Sequence, residues 1–124
     1  MPLITEYVNE VKRLIDSIPF KLSTKVNIDN RGEVALYLKG EIVFSDQNEL
    51  HFKEYCVAIP VLRKLAYSYH YQDKNKKMIF RLDNAEHHLE VESYPYHKHI
   101  KGAVVPSHEI TLKEVIKNII EMQS

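Results

Sequence analysis

The stretch RLDNAEHHLEVESYPYHKH, from Arg81 to His99, holds four histidines, one arginine and one isolated aspartate without a glycine. Together with His70 it supplies the side chains that metal-independent cleavage of a phosphodiester needs. One neutral histidine removes the proton of a ribose 2′-hydroxyl, a protonated partner donates to the leaving oxygen, and a fixed cation stabilises the phosphorane. Histidine serves both transfers because its ordinary pKa of ~6.5 lets two copies hold opposite protonation states near neutrality, while arginine stays charged. The catalytic candidates are therefore His70, Arg81, Asp83, His87, His88, His97 and His99. Metal binding is the second chemistry open to these residues, with His97, His99, Asp83 and either His87 or His88 as ligands for zinc or a similar ion. That set lacks a nearby cysteine and the tight spacing of a zinc finger, so neither a metal nor another cofactor is assigned. For any one of these histidines a polar residue at a strand end is the favoured reading; only the cluster points to a site.

Such a cluster needs strands to hold it. In KLAYSYHYQ, Tyr67, Tyr69 and Tyr71 fall on one face and Ser68, His70 and Gln72 on the other. A hairpin loop from Asp73 to Lys76, with Gln72 opposite Lys77, sets Tyr71 against Met78, Tyr69 against Phe80 and Tyr67 against Leu82. A one-residue slip would break this apolar ladder, so His70 and Ser68 are expected beside Arg81 and Asp83 on the opposite face. The tyrosines then read as core rather than as a base-stacking platform. A further strand is expected from His88 to Tyr94, ended by Pro95, and beyond it His97 and His99 point the same way if the chain stays extended.

The flanking segments complete the architecture. Leu3, Ile4, Tyr7, Val8, Val11, Leu14, Ile15 and Ile18 recur at helical spacing, which predicts an amphipathic helix stopping before Pro19. From Phe20 to Ile28 the period becomes two, a half-buried strand; Asn30 to Gly32 is a turn, and Glu33 to Phe44 a long strand bent or bulged at Gly40. Asp46 to Asn48 turns the chain towards Leu50, Phe52 and Tyr55. Thr111 and Glu114 form a capping box, with Ile110 stapled to Val115, ahead of a helix with an apolar stripe through Leu112, Val115, Ile116, Ile119 and Ile120. The fold class is α+β: an antiparallel meander of about six strands flanked by an N-terminal and a C-terminal helix, a single domain over residues 1–124.

Composition narrows the partners. Seventeen basic residues balance seventeen acidic ones, so no global field draws the chain to nucleic acid or an anionic membrane. Around the histidines, Lys74, Lys76, Lys77, Arg81, Lys98 and Lys101 are interleaved with Asp73, Asp83, Glu86, Glu90 and Glu92, and no strong basic groove is evident. The loop DKNKK reads as a solvated hairpin tip. Cys56, the one cysteine, sits in YCVAI with no base beside it and reads as inert. No basic-then-apolar leader or long apolar run is visible, which predicts a cytoplasmic protein with no membrane partner.

YHYQD, FRLDNAEHH, YPYHKHI and VPSHEITLKEV, in this order from Tyr69 to Val115, resemble the TumE-type toxin family of toxin–antitoxin systems. The likeness continues less specifically into GEIVFSDQNELHFKEY. Arg81, Asp83, Asn84, His87, His88, His97, Lys98 and His99 match the family pattern, whereas Leu82 and Glu86 depart from its Arg-Tyr-Asp-Asn-Ala-Pro-His-His, and Tyr96 stands where a further histidine is common. The resemblance implies the toxin half of a two-gene module, neutralised by a small antitoxin protein. Joined to the cluster chemistry it suggests a ribonuclease, with RNA as substrate, Asn84 and Lys98 as substrate-binding candidates, and a homodimer compatible with the sequence. The competing reading is a non-enzymatic module whose histidine-rich face binds a metal or a protein.

Overall fold

The first helix, α1 (Leu3–Asp16), turns Ile4, Val8, Val11 and Ile15 into the core. It ends two residues short of Ile18, where Ser17 donates its backbone N–H back to Arg13 and Leu14 and Pro19 forbids continuation. A computed structural model describes residues 3–84, 97–100, 103–106 and 109–123. After α1 come β1 (Lys21–Arg31), β2 (Ala35–Phe44), β3 (Glu49–Val57), β4 (Arg63–Gln72), β5 (Met78–Asp83), β6 (His97–Ile100) and β7 (Ala103–Pro106), then α2 (Leu112–Gln123). The strands form one antiparallel sheet in sequence order, β1 to β7. The α+β meander between two helices is as expected, with β7 as a further short strand; the expected strand from His88 to Tyr94 lies outside the described residues.

Both helices belong to one core with the inner face of the sheet. Leu36, Leu38 and Ile42 of β2, Leu50 and Phe52 of β3, Tyr67, Tyr69 and Tyr71 of β4, and Phe80 and Leu82 of β5 share it with Val115, Ile116 and Ile119 of α2. The capping box forms as expected: Glu114 N–H donates to Thr111 Oγ1 at 3.2 Å, and Thr111 N–H to Glu114 Oε1 at 3.3 Å. One carboxylate is buried in this apolar layer. Glu54 accepts from the Tyr7 hydroxyl and, at 2.5 Å, from that of Tyr69, while Lys64 donates to Tyr69 Oη at 2.6 Å and to the Ile110 carbonyl. Burial first, then the Glu54 charge, push both tyrosine hydroxyls above their ordinary range, so they remain donors. The network ties α1, the sheet and the entry to α2 through groups that would be costly unpaired.

Three expectations are corrected. β1 is not half-buried: it is the edge strand, Leu22 is 62% exposed, and the covered inner face begins at β2. Gly40 neither bends nor bulges β2. It pairs squarely with Phe52, and a Cβ there would collide with the Phe52 ring, so the glycine is the slot that receives the ring.

The third concerns the β4–β5 register. Tyr71 lies opposite Phe80 and Tyr69 opposite Leu82, two residues from the expected pairing, with an irregularity between Tyr71 and Gln72. The loop is longer than supposed. Asp73 Oδ1 accepts from the N–H groups of Asn75 and Lys77, Lys76 takes a φ of 68°, and Asp73 N–H closes on the Lys77 carbonyl. Gln72 then pairs with Met78, which is the face-flipping alignment, and Ile79 is inserted as a bulge that restores the parity. The faces are therefore the expected ones.

Candidate active site on the open face of the sheet

Pairing across four antiparallel strands sets four residues in one row on the face away from the helices. His51 lies opposite His70, His70 opposite Arg81, and Arg81 opposite His99. The adjoining row runs Lys53, Ser68, Asp83. A groove of about 510 Å³ lies over this face, with His51, Ser68, His70, Gln72 and Arg81 among its lining residues.

The protonation pattern is set locally. His70 Nε2 is 3.0 Å from Gln72 Oε1, which can only accept, so this nitrogen carries the proton and Nδ1 holds the free pair. The amide orientation of Gln72 is fixed in turn, because its Nε2 donates to Glu49 Oε1 at 3.2 Å. Glu49 is held by Lys76 at 2.7 Å and His51 at 2.9 Å, which lower its carboxyl pKa to about 2. Burial lowers the His70 pKa, helped by the Arg81 and His51 charges and opposed by the Gln72 bond, so the ring is neutral at neutral pH. Its Nδ1 is buried and has no hydrogen-bond partner among the described residues. Beyond Arg81 the arrangement differs: Asp83, only 3% exposed, accepts from Arg81 Nε at 2.9 Å and lies 3.3 Å from His99 Nε2. A neutral imidazole and an imidazole facing a carboxylate thus flank one guanidinium.

The remaining candidates are placed differently. His97 pairs with Asp83 through its backbone, and His87 and His88 lie outside the described residues. Lys98 pairs with Leu82, and its ammonium sits 5.3 Å from the centre of the Phe80 ring, so it serves the helix-bearing face and not the row of Arg81. Asn84 spends its side chain on β4, accepting from Tyr67 N–H and donating to the Leu65 carbonyl, both at 2.9 Å. Among the described residues, the donor atoms close enough to share a metal ion are those of Glu41, Glu49 and His51; His87, His88 and the His97 side chain of the expected set lie outside the described residues. Lys76 already supplies a cation to Glu49 there.

With the polar row established, comparison with known proteins identifies the fold's bearer: the family model described as Toxin TumE matches residues 11–123. The chain belongs to the TumE toxin family. No curated protein and no solved structure matches it. As a TumE toxin it is the toxin component of a toxin–antitoxin module, with an antitoxin as its partner. Among its described residues no helix is long and apolar enough to cross a membrane.

Several residues of the toxin's open face fall outside the cluster picked out in sequence. His51, Lys39, Lys53, Tyr37 and Tyr55 all face the same side as His70. The signal for them was the period-two alternation in YLKGE and ELHFKEY, which assigns them to the polar face once the apolar one is known.

Proposed function

We propose that the toxin is a metal-independent ribonuclease acting on RNA in the cytoplasm, by transfer of the scissile phosphate to the neighbouring 2′-oxygen. What carries this reading is the row in which His70 and His99 flank Arg81. His70 Nδ1 takes the 2′-hydroxyl proton, the 2′-oxygen attacks phosphorus, and Arg81 faces the negative charge that develops on the phosphorane. His99, as an imidazolium held by Asp83, gives its proton to the 5′-oxygen as the phosphorus–oxygen bond breaks. The products are a 2′,3′-cyclic phosphate and a 5′-hydroxyl, and the two histidines end with exchanged protons. The Gln72 bond to Nε2, which leaves Nδ1 with the free pair and no hydrogen bond among the described residues, supports the assignment of His70 as the base.

The test is cleavage of an end-labelled single-stranded RNA by purified toxin in excess EDTA, with analysis of the product ends. Cyclic phosphate termini are expected, and loss of one proton-transfer group in His70→Ala or His99→Ala should slow cleavage by about a hundredfold to ten-thousandfold. Arg81→Ala should lose activity comparably and also melt lower, because the buried Asp83 carboxylate loses its guanidinium, so its activity is read at a temperature where the melt shows the variant folded. Abolition of cleavage by the chelator, or undiminished activity in all three variants, would overturn the reading.

A further inference from the structure

β2 and β3 carry an unneutralised pair of like charges on the open face. Lys39 lies directly opposite Lys53, and both are exposed. No ion pair between either lysine and an acid occurs among the described residues, although like charges directly opposite each other destabilise a sheet. One step along the same two strands, Tyr37 stacks on Tyr55 with ring centres 4.5 Å apart, and the Arg31 guanidinium lies 4.9 Å from the Tyr37 centre. The next residue across from Tyr55 is Ala66, whose side chain ends at Cβ. The column of Arg31, Tyr37 and Tyr55 therefore stops at a vacant place over β4, a recess of about 440 Å³ lined by Tyr55, Ala66, Lys53 and Ser68. Lys53 and Ser68 also line the groove that contains His70 and Arg81, so the recess and the groove are continuous.

From this juxtaposition we infer that the open face binds single-stranded RNA across the strands, with a nucleobase adjoining the scissile phosphate stacked on Tyr55 over Ala66 and its phosphate held by Lys39 and Lys53. A flat aromatic surface beside paired cations is the combination that holds unpaired nucleotides, because every base offers a π-face and every phosphate a charge. A duplex cannot use it, since its bases are stacked on each other. Lys53 in β3 is two strands from Arg81 in β5, about 10 Å at ~4.8 Å per strand, a distance an adjacent nucleotide bridges. The local pair also supplies the cationic patch that a net charge of zero withholds. The inference rests on the ribonuclease reading for its scissile phosphate, but the binding can be measured without cleavage.

The experiment is fluorescence anisotropy of the full chain with a labelled single-stranded hexamer of 2′-O-methyl RNA, which cannot form a cyclic phosphate, and with the same sequence as a duplex. The single strand is expected to bind and the duplex to bind less tightly. Tyr55→Ala should weaken binding about 5- to 150-fold, the range for one stacked base, and Tyr55→Phe should retain it. The double variant Lys39→Gln/Lys53→Gln should flatten the dependence of log affinity on log salt by about 1.4, at ~0.7 for each cation removed from the phosphates. Thermal melts of each variant report folding. If the hexamer does not bind, or binds equally well to folded Tyr55→Ala and with an unchanged salt slope to the lysine variant, the inference is overturned; so it is if Tyr55→Ala abolishes neutralisation by the antitoxin and leaves hexamer affinity intact. Hexamer binding that depends on Tyr55, in a toxin that cuts no RNA, would refute the nuclease reading and uphold the binding face.

Discussion

Gly40→Ala should destabilise this toxin severely for a single added methyl group. In most strands that substitution is mildly favourable, because alanine restricts the unfolded chain, by roughly 0.4–1 kcal/mol. Here the new Cβ would stand inside the ring of Phe52, meeting three of its carbons closer than van der Waals contact. The ring has no exit, since Phe52 is 1% exposed and its strand is bonded on both sides. Nor can Gly40 retreat, being paired with Val26 on one side and Phe52 on the other. Overpacking of a closed core costs about 1–3 kcal/mol and occasionally more, and a clash with a trapped ring belongs at the upper end. After the entropic gain is subtracted, a net loss of about 2 kcal/mol is expected. At roughly 3–6 °C per kcal/mol for a chain of this size, the melting temperature should fall by about 6–12 °C. Urea unfolding of Gly40→Ala, Phe52→Leu and the double variant isolates the contact, because the alanine should cost far less once the ring is gone. A coupling energy below about 0.5 kcal/mol, or a Gly40→Ala protein as stable as its parent, would refute the reasoning.

If the proposed cleavage operates, its acid limb should reflect His70. Because burial lowers the folded-state pKa of His70, its base form persists below the ordinary histidine value of ~6.5, and activity should begin to fall only below that pH. Stability has a defined sign: above ~6.5 neither state protonates His70, and as pH falls from there through the lowered folded value the unfolded chain binds a proton that the folded one resists, so stability is lost. Urea midpoints from pH 7.5 to 5 should therefore fall less in His70→Gln than in the parent, and parallel curves would contradict this. Cys56 is buried in β3, and desolvation together with Glu54 pushes its thiol up to about 12. It should react with a thiol reagent only at the rate of global unfolding, so rapid stoichiometric labelling of native protein would show the burial to be wrong.

What the sequence made legible was parity. Alternation in YSYHY separates tyrosines from His70 whichever even shift the hairpin adopts, so the faces were readable although the register was not. The register depended on Lys76 taking a left-handed φ and Ile79 bulging, and neither lysine nor isoleucine signals this. β1 shows the limit of periodicity, which reports that a strand has two faces but not whether a layer covers one of them. In sequence Gly40 resembles a backbone device, but its reason is the ring of Phe52, a neighbour visible only after β2 and β3 are aligned. Lys98 matches the family pattern, but its place between His97 and His99 in an extended strand puts it on the other face. His51 escaped notice because it lies outside the histidine-rich stretch, and only the sheet brings it beside His70.

The inner face decides what the outer face can do. His70 is opposite Arg81 only while Tyr69 and Tyr71, both fully buried, lie opposite Leu82 and Phe80. Pairing that began in phase at Gln72 and Met78 and continued without the Ile79 bulge would set Tyr71 against Ile79 and Tyr69 against Arg81. Each tyrosine would then lie opposite a residue whose partners are turned to the wrong face, bringing the charged Arg81 and Asp83 side chains towards the core. Burying an apolar side chain such as Leu82 or Phe80 contributes about 1.5–3 kcal/mol, and turning a charge into the core without a partner costs more than that. The bulged register is thus favoured by burial and desolvation terms on the inner face. Those terms need nothing from the polar face, which leaves Lys39 and Lys53 opposed and His70 Nδ1 without a hydrogen bond among the described residues, arrangements that a rigid sheet can hold and a loop could not.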